Sequence, residues 1–238
     1  MPKKKQPNRK YLPKDLEILY EDKDILVINK PAGLLTVRTA TTKLKTAHYI
    51  LTDYVRKGSL KSRKRVYTVH RLDQWTSGVL IFAKNEDTKT RLQDNWKQTQ
   101  KTYVAIVHGQ LKPKQGIITS YLFETKNYFI RSTNDKTKGK LAKTAYKVLK
   151  EAGQFSLVEL DLLTGRKNQI RVHLADKGNP IVGDRKYGKA KDAYKRLALH
   201  AKSISFTHPT TSKLMTFETK LPSYFKIVSP PKVRKKGS

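Results

Sequence analysis

Apolar residues fall mostly in short blocks of period two or in continuous β-branched runs, and only three stretches carry the spacing of a helix. Leu16 to Tyr20 and Asp24 to Lys30 read as strands around an Asp-rich turn. The second is continuously apolar and β-branched, as expected at a sheet centre. Lys30-Pro31-Ala32-Gly33 then turns the chain. Leu44, Ala47, Leu51, Tyr54 and Val55 recur at helical spacing, and Gly58 supplies a C-terminal stop. Gly78 to Ala83 reads as a buried strand. Asn85 predicts the cap of a second helix with Glu86 and Asp87 in its first turn, and Leu92 and Trp96, four apart on one face, place Trp96 in the core.

The second half is richer in strands. Lys101 to Gly109, Ile117 to Leu122, Tyr128 to Arg131, Thr144 to Lys150 and Phe155 to Leu163 follow one another through short turns, with a polar basic loop over Asn134 to Lys140. Thr164 to Gly178 predicts a short helix with Ile170 and Leu174 facing the core. Arg171, about 100° around the wheel from Ile170, falls at the border with solvent. Pro180 to Gly188 is a glycine-bounded loop, and Leu199 to Phe206 with Leu214 to Glu218 form a hairpin. Consecutive strands on short turns pair antiparallel, so the fold class is α+β, a mixed, mainly antiparallel sheet with flanking helices. There is no internal repeat and no convincing linker. The expected organisation is a basic flexible arm over residues 1–15, one catalytic domain over 16–225 and a basic tail over 226–238.

Charge changes this picture. The 51 Lys and Arg against 19 Asp and Glu, a formal net charge of +32, point to a polyanion bound through many phosphate contacts, with nucleic acid first. No long apolar run and no basic amphipathic helix supports membrane binding. The chain has no cysteine, which excludes disulfides, thiolate metal sites and a cysteine nucleophile. The first residues are charged with no apolar region behind them, so a cytoplasmic location is expected. Two basic clusters stand out as phosphate clamps. One holds Arg56, Lys57, Lys61, Arg63, Lys64 and Arg65; the other, after Gly188, includes Lys189 and Lys191.

In so basic a chain, the lone carboxylate in Val69-His70-Arg71-Leu72-Asp73-Gln74-Trp75-Thr76-Ser77-Gly78 is conspicuous, because it repels the anion the surface attracts. No paired carboxylates flank it, no P-loop, HExxH or GxSxG motif is present, and the six histidines lack metal-ligand spacing. A single carboxylate kept ionised by an arginine is a competent nucleophile or base in a site that excludes water. Its commoner use is to cap a turn, here through the Thr76 or Ser77 amide. The residues alone leave both open.

The run from His70 to Lys84 resembles the signature of the RluA family of pseudouridine synthases, in which His-Arg-Leu-Asp precedes Thr-Ser-Gly and an apolar strand. Asn29 to Gly33 is similar to that family's first motif, Lys101-Thr102-Tyr103 to its second, and Thr164-Gly165-Arg166 through Gln169 to Leu174 to its third; Gly183 to Gly188 is also family-like. The resemblance spans roughly residues 16–222. It implies the pseudouridine synthase catalytic fold with a central cleft, and isomerisation of uridine in ribosomal or transfer RNA without metal or organic cofactor; a monomer is expected. By the same resemblance Asp73 is the catalytic aspartate, Tyr103 stacks on the uracil and assists proton removal, and Arg171 pairs with Asp73. Arg71 fills the gap left by the flipped base, and His70, Thr76, Arg166, Gln169 and Leu174 line the substrate. Asn168, where relatives usually have histidine, and Gln74-Trp75, in place of a commoner basic or small pair, depart from the pattern at positions that bear on the choice of RNA. Trp75 either stacks on a base or fills a surface groove. The alternative from another class is a catalytically silent RNA-binding or ribosome assembly factor on the same fold.

Overall fold

The computed structural model describes residues 9–38, 45–188 and 192–228. Leu44, Lys189, Lys191, the start of the expected arm and the end of the expected tail lie outside these residues. The chain forms two compact units, one of residues up to Lys101 with Ala201–Thr219, the other of Thr102–His200 with the residues from Lys220 onward.

In the first unit β1 (Glu17–Glu21), β2 (Ile25–Lys30), the two-residue β3 (Tyr67–Thr68) and β4 (Ser77–Ala83) join β10 (Leu199–Thr207) and β11 (Leu214–Glu218). The order is β1-β2-β4-β10, with β3 also on β4 and β11 on β10. All seven residues of β4 are buried. Val79, Ile81 and Ala83 pack with Ile25, Val27, Val69, Leu92, Ile204 and Phe206, while the alternate residues Leu26, Ile28, Leu80 and Phe82 are buried as well. A strand covered on both faces cannot alternate, which is why its sequence reads as one apolar run. Gly78 is required where β4 begins. At φ +115°, a Cβ there would lie 2.1 Å from the Ala201 carbonyl oxygen. A knot around one carboxylate closes the far end: the Asp22 side chain accepts from the Asp24 and Ile25 amides, each at 2.8 Å, and from His208 Nε2 at 3.0 Å. His208 Nδ1 accepts the Thr210 and Thr211 amides, so Nε2 carries the ring proton and donates to the carboxylate.

Two helices belong to this unit. In α1 (Ala47–Arg56), Thr46 accepts from the Tyr49 amide and left-handed Lys57 ends the helix, with Gly58 N–H donating to Asp53 O. In α2 (Glu86–Asp94), Asn85 accepts from the Thr88 amide at 2.8 Å. The expected continuation to Trp96 does not occur. Residues Trp96–Gln98 form a 3-10 turn, and Trp96 is half-buried at the margin of the core.

The second unit is an antiparallel sheet, β5 (Gln100–His108), β6 (Gln115–Glu124), β7 (Ile130–Thr133), β8 (Lys140–Ala152) and β9 (Phe155–Leu162), in the order β5-β9-β8-β6-β7. α3 (Gln169–Asp176) packs Val172 against Leu122, Ile130 and Ala142. His173 on the same helix is fully buried and bridges Thr144 Oγ1 at 2.9 Å and Ser120 Oγ at 3.0 Å. The helix starts later than the sequence pattern predicts. Asn168 is left-handed at φ 55°, and the Gln169 amide oxygen accepts from Thr164 Oγ1 and the Arg166 N–H, which holds 164–168 as a turn.

Candidate active site

The segment around Asp73 is fixed from several sides within the first unit. Leu72 is buried, and Thr36 Oγ1 both accepts its N–H, at 3.2 Å, and donates to its carbonyl, at 2.9 Å. Thr76 N–H donates to the Asp73 main-chain carbonyl at 3.1 Å, and Gly33 N–H donates to Gln74 O at 2.8 Å. The Gln74 side chain returns a bond to Gly33 O at 3.1 Å. The half-buried carboxylate of Asp73 therefore stands on a turn stitched to residues 33–36.

Lys30 clamps this arrangement from beneath. Its side chain is fully buried at the end of β2, and Nζ donates to Pro31 O at 3.0 Å, Leu34 O at 2.8 Å and Gln74 O at 3.1 Å. In the ammonium form each of the three carbonyls meets one proton, and the neutral amine retains two to give. Burial draws the Lys30 pKa from 10.5 to about 7, and the negative charge of Asp73 opposes that fall. Composition gives no hint of this role; the available signal is a lysine ending a strand, two residues after its apolar run. Between pH about 7 and about 10 the unfolded chain carries a proton on Lys30 that the folded chain lacks, so stability rises with pH across that window. Lys30→Met is expected to cost about 2–3 kcal/mol in unmet carbonyl bonds, a loss of about 4–12 °C in Tm, and to remove that rise with pH. Urea midpoints measured at a series of pH values check both.

His70, expected at the substrate, braces β4. Its ring lies 4.6 Å from that of Trp96, and Nε2 accepts the Ile81 N–H at 3.1 Å. Burial, with Lys101 nearby, lowers its pKa to about 3, so the ring is neutral and its lone pair is committed to β4. Thr76, also expected at the substrate, is buried in the turn that it closes. Arg71 is exposed.

In the second unit, Tyr103 lies on β5 opposite Leu160 and is nearly buried. Arg171, in the first turn of α3, makes a two-pronged pair with Asp184, Nε to Oδ2 at 2.8 Å and Nη2 to Oδ1 at 2.7 Å. Its guanidinium also sits 5.0 Å above the Tyr187 ring, and Nη1 donates to Asn168 Oδ1 at 3.3 Å. Burial raises the cost of charge on Asp184, yet Arg171 and the Tyr187 and Lys186 amides hold its pKa below the ordinary carboxylate value. Asp184 escapes the sequence reading, although an acid between two glycines in so basic a chain is a legible signal. Asn168 tolerates its left-handed backbone and joins Tyr187 to Arg171, donating from Nδ2 to the Tyr187 hydroxyl at 3.0 Å.

Two further expected substrate contacts are internal. Gln169 is buried and spends its amide on Thr164, Arg166, Lys143 and Thr144, and Leu174 is fully buried in α3. Arg166 bonds Leu141 O through Nε at 3.0 Å. Of the first basic cluster, Lys57, Lys61, Arg63, Lys64 and Arg65 are exposed. Arg56 is half-buried and donates to Lys64 O at 2.8 Å, while Arg65 stacks on Tyr67 at 5.1 Å, so both shape the loop that presents the others. No helix among the described residues is long and apolar enough to cross a membrane.

Residues 24–176 match the RNA pseudouridylate synthase family. An uncharacterised RNA pseudouridine synthase of Bacillus subtilis, YhcT, is 38% identical over 217 residues, covering 89% of this chain and 70% of its own. A protein of Rickettsia bellii named ribosomal large subunit pseudouridine synthase C is 37% identical, over 87% of this chain and 69% of that one. Among solved structures, human RNA pseudouridylate synthase domain containing 4 superposes with a TM-score of 0.73 at 26% identity, covering 88% of this chain and 90% of that one. The two-unit α+β architecture and the Asp73 turn thus belong to a chain that is a member of the RNA pseudouridylate synthase family.

Proposed function

We propose that the chain converts specific uridines of ribosomal RNA to pseudouridine, with Asp73 as the reacting carboxylate, Tyr103 as the ring under the uracil and Arg171 as the cation that keeps the carboxylate ionised. The carrying observation is Asp73 itself, which lies within the matched span on a turn fixed by Lys30, Gly33 and Thr36. The N1–C1′ bond of the target uridine breaks, the base turns, and a C5–C1′ bond forms; the C5 proton leaves and N1 gains one, so the product is an isomer. Asp73 acts on the ribose or the base, and Tyr103 aids removal of the C5 proton. Arg71 fills the stack that the flipped base vacates, an extraction that costs a few kcal/mol and is offset by phosphate contacts. Ribosomal RNA is favoured by the name of the Rickettsia relative, and the enzyme works as a cytoplasmic monomer.

Pseudouridine mapping of cells with and without the gene tests this. A ribosomal position that loses its pseudouridine supports the proposal and identifies the substrate, a loss confined to transfer RNA moves the substrate class, and no lost site in either overturns the function. Binding through the 56–65 loop is further expected to be steeply salt-dependent. About five phosphate contacts imply a roughly hundredfold loss of RNA affinity between about 50 and 200 mM salt. Replacing Lys61, Arg63 and Lys64 with Gln is expected to flatten that slope, and an unchanged slope would remove this loop from the interface.

A further inference from the structure

We infer that the exposed indole of Trp75 is a stacking subsite for an unpaired RNA base adjacent to the uridine on which Asp73 acts, an assignment that rests on the function proposed above. Tryptophan is usually largely buried, yet Trp75 is 49% exposed in the middle of a turn whose neighbours Leu72, Thr76 and Ser77 are all buried. The exposure is not slackness. The benzo edge of the ring sits over Gly33, with Cζ3 3.4 Å and Cε3 and Cη2 3.9 Å from the position a Cβ would take there. Gly33 is left-handed at φ +91° and is bonded in both directions to Gln74, the residue before the tryptophan. Lys30 fixes the same Gln74 carbonyl from below.

One part of the indole is therefore seated while the rest faces solvent. A pre-positioned aromatic surface loses little side-chain freedom when a base stacks on it. The two residues of this turn that depart from the family pattern divide their work: the Gln74 amide turns inward to Gly33 O, and Trp75 turns outward. Two residues of chain span at most about 7 Å, so a base stacked on Trp75 belongs to a nucleotide beside the one at Asp73. Arg71, exposed in the same segment, supplies a positive charge for the backbone of such a nucleotide.

The chain has two tryptophans, so Trp96→Phe leaves Trp75 as its lone indole reporter. Titrating that variant at low salt with a 12-residue oligouridylate is expected to quench its emission saturably, in step with binding read by anisotropy of the labelled oligonucleotide. Trp75→Leu is expected to weaken binding about five- to hundredfold with an unchanged melting temperature, and Trp75→Phe to restore most of the loss. On ribosomal RNA transcript the Leu variant should raise KM with little change in kcat. Binding without quenching, or a Leu variant with wild-type affinity, would overturn the subsite and leave Trp75 to a protein partner. If no RNA is isomerised, the proposed function fails, and quenching and affinity still decide the stacking.

Discussion

Asp73→Asn is expected to abolish pseudouridine formation, lowering the rate by at least about a thousandfold, while RNA affinity stays within a few fold of the wild type. The substitution keeps the shape of the side chain and removes the charge and the nucleophilic oxygen, so the loss falls on the chemical step. The turn itself survives, because its bonds to Thr36, Gly33 and Lys30 are made by the main chain of Leu72 and Gln74 or by Gln74's own amide, and its bond to Thr76 by the Asp73 main-chain carbonyl. Removing a negative charge from a surface that binds a polyanion even favours association. Single-turnover assays on a ribosomal RNA transcript, with filter binding on the same variant, check both halves. Residual isomerisation at a tenth of the wild-type rate would move the reacting group elsewhere.

Asp184→Asn is expected to cost about 3–5 kcal/mol in stability, a fall of roughly 6–20 °C in Tm, because it leaves the Arg171 guanidinium facing a neutral partner in a place where Asp184 is 1% and Arg171 14% exposed. Activity falls with it, since Arg171 is held in place by that carboxylate. The pair also leaves a mark on acid stability. The folded pKa of Asp184 lies below the ordinary value of 3.8, so its contribution is fully present above that value and is lost as pH falls through the folded pKa. The wild type should therefore lose part of its advantage over Asp184→Asn below pH about 4. Parallel stability-pH curves for the two proteins would argue against a charged pair.

Elements with a local chemical cause are legible in the sequence. Asn85 with Glu86 and Asp87 marks the start of α2, the β-branched run marks β4, and Thr207 to Thr211 marks the turn of the last hairpin. What escapes depends on contacts distant in sequence or on a single backbone angle. Tyr128 is left-handed at φ 59°, which moves the start of β7 from the expected Tyr128 to Ile130. His70 and Gln169 have the residue types of a binding site, and their hydrogen bonds, to Ile81 across 11 residues and to Thr144 across 25, tie them to the fold in a way no local pattern announces. Lys30 is the converse case, a charge inside a strand end whose purpose appears only when three carbonyls converge on it.

The division of the chain has a consequence for its synthesis. The second unit's sheet is built from one continuous segment, β5 to β9, so all its strands are available once β9 has emerged. The first unit cannot finish, because β4 lies between β2 and β10, and β10 is made more than a hundred residues after β4. At typical elongation rates the largely apolar β4, with the two-residue β3 paired to it at Phe82 and Ala83, waits for its β10 partner for on the order of ten seconds. Chaperone dependence and aggregation of truncated chains should therefore concentrate on products that end before residue 199.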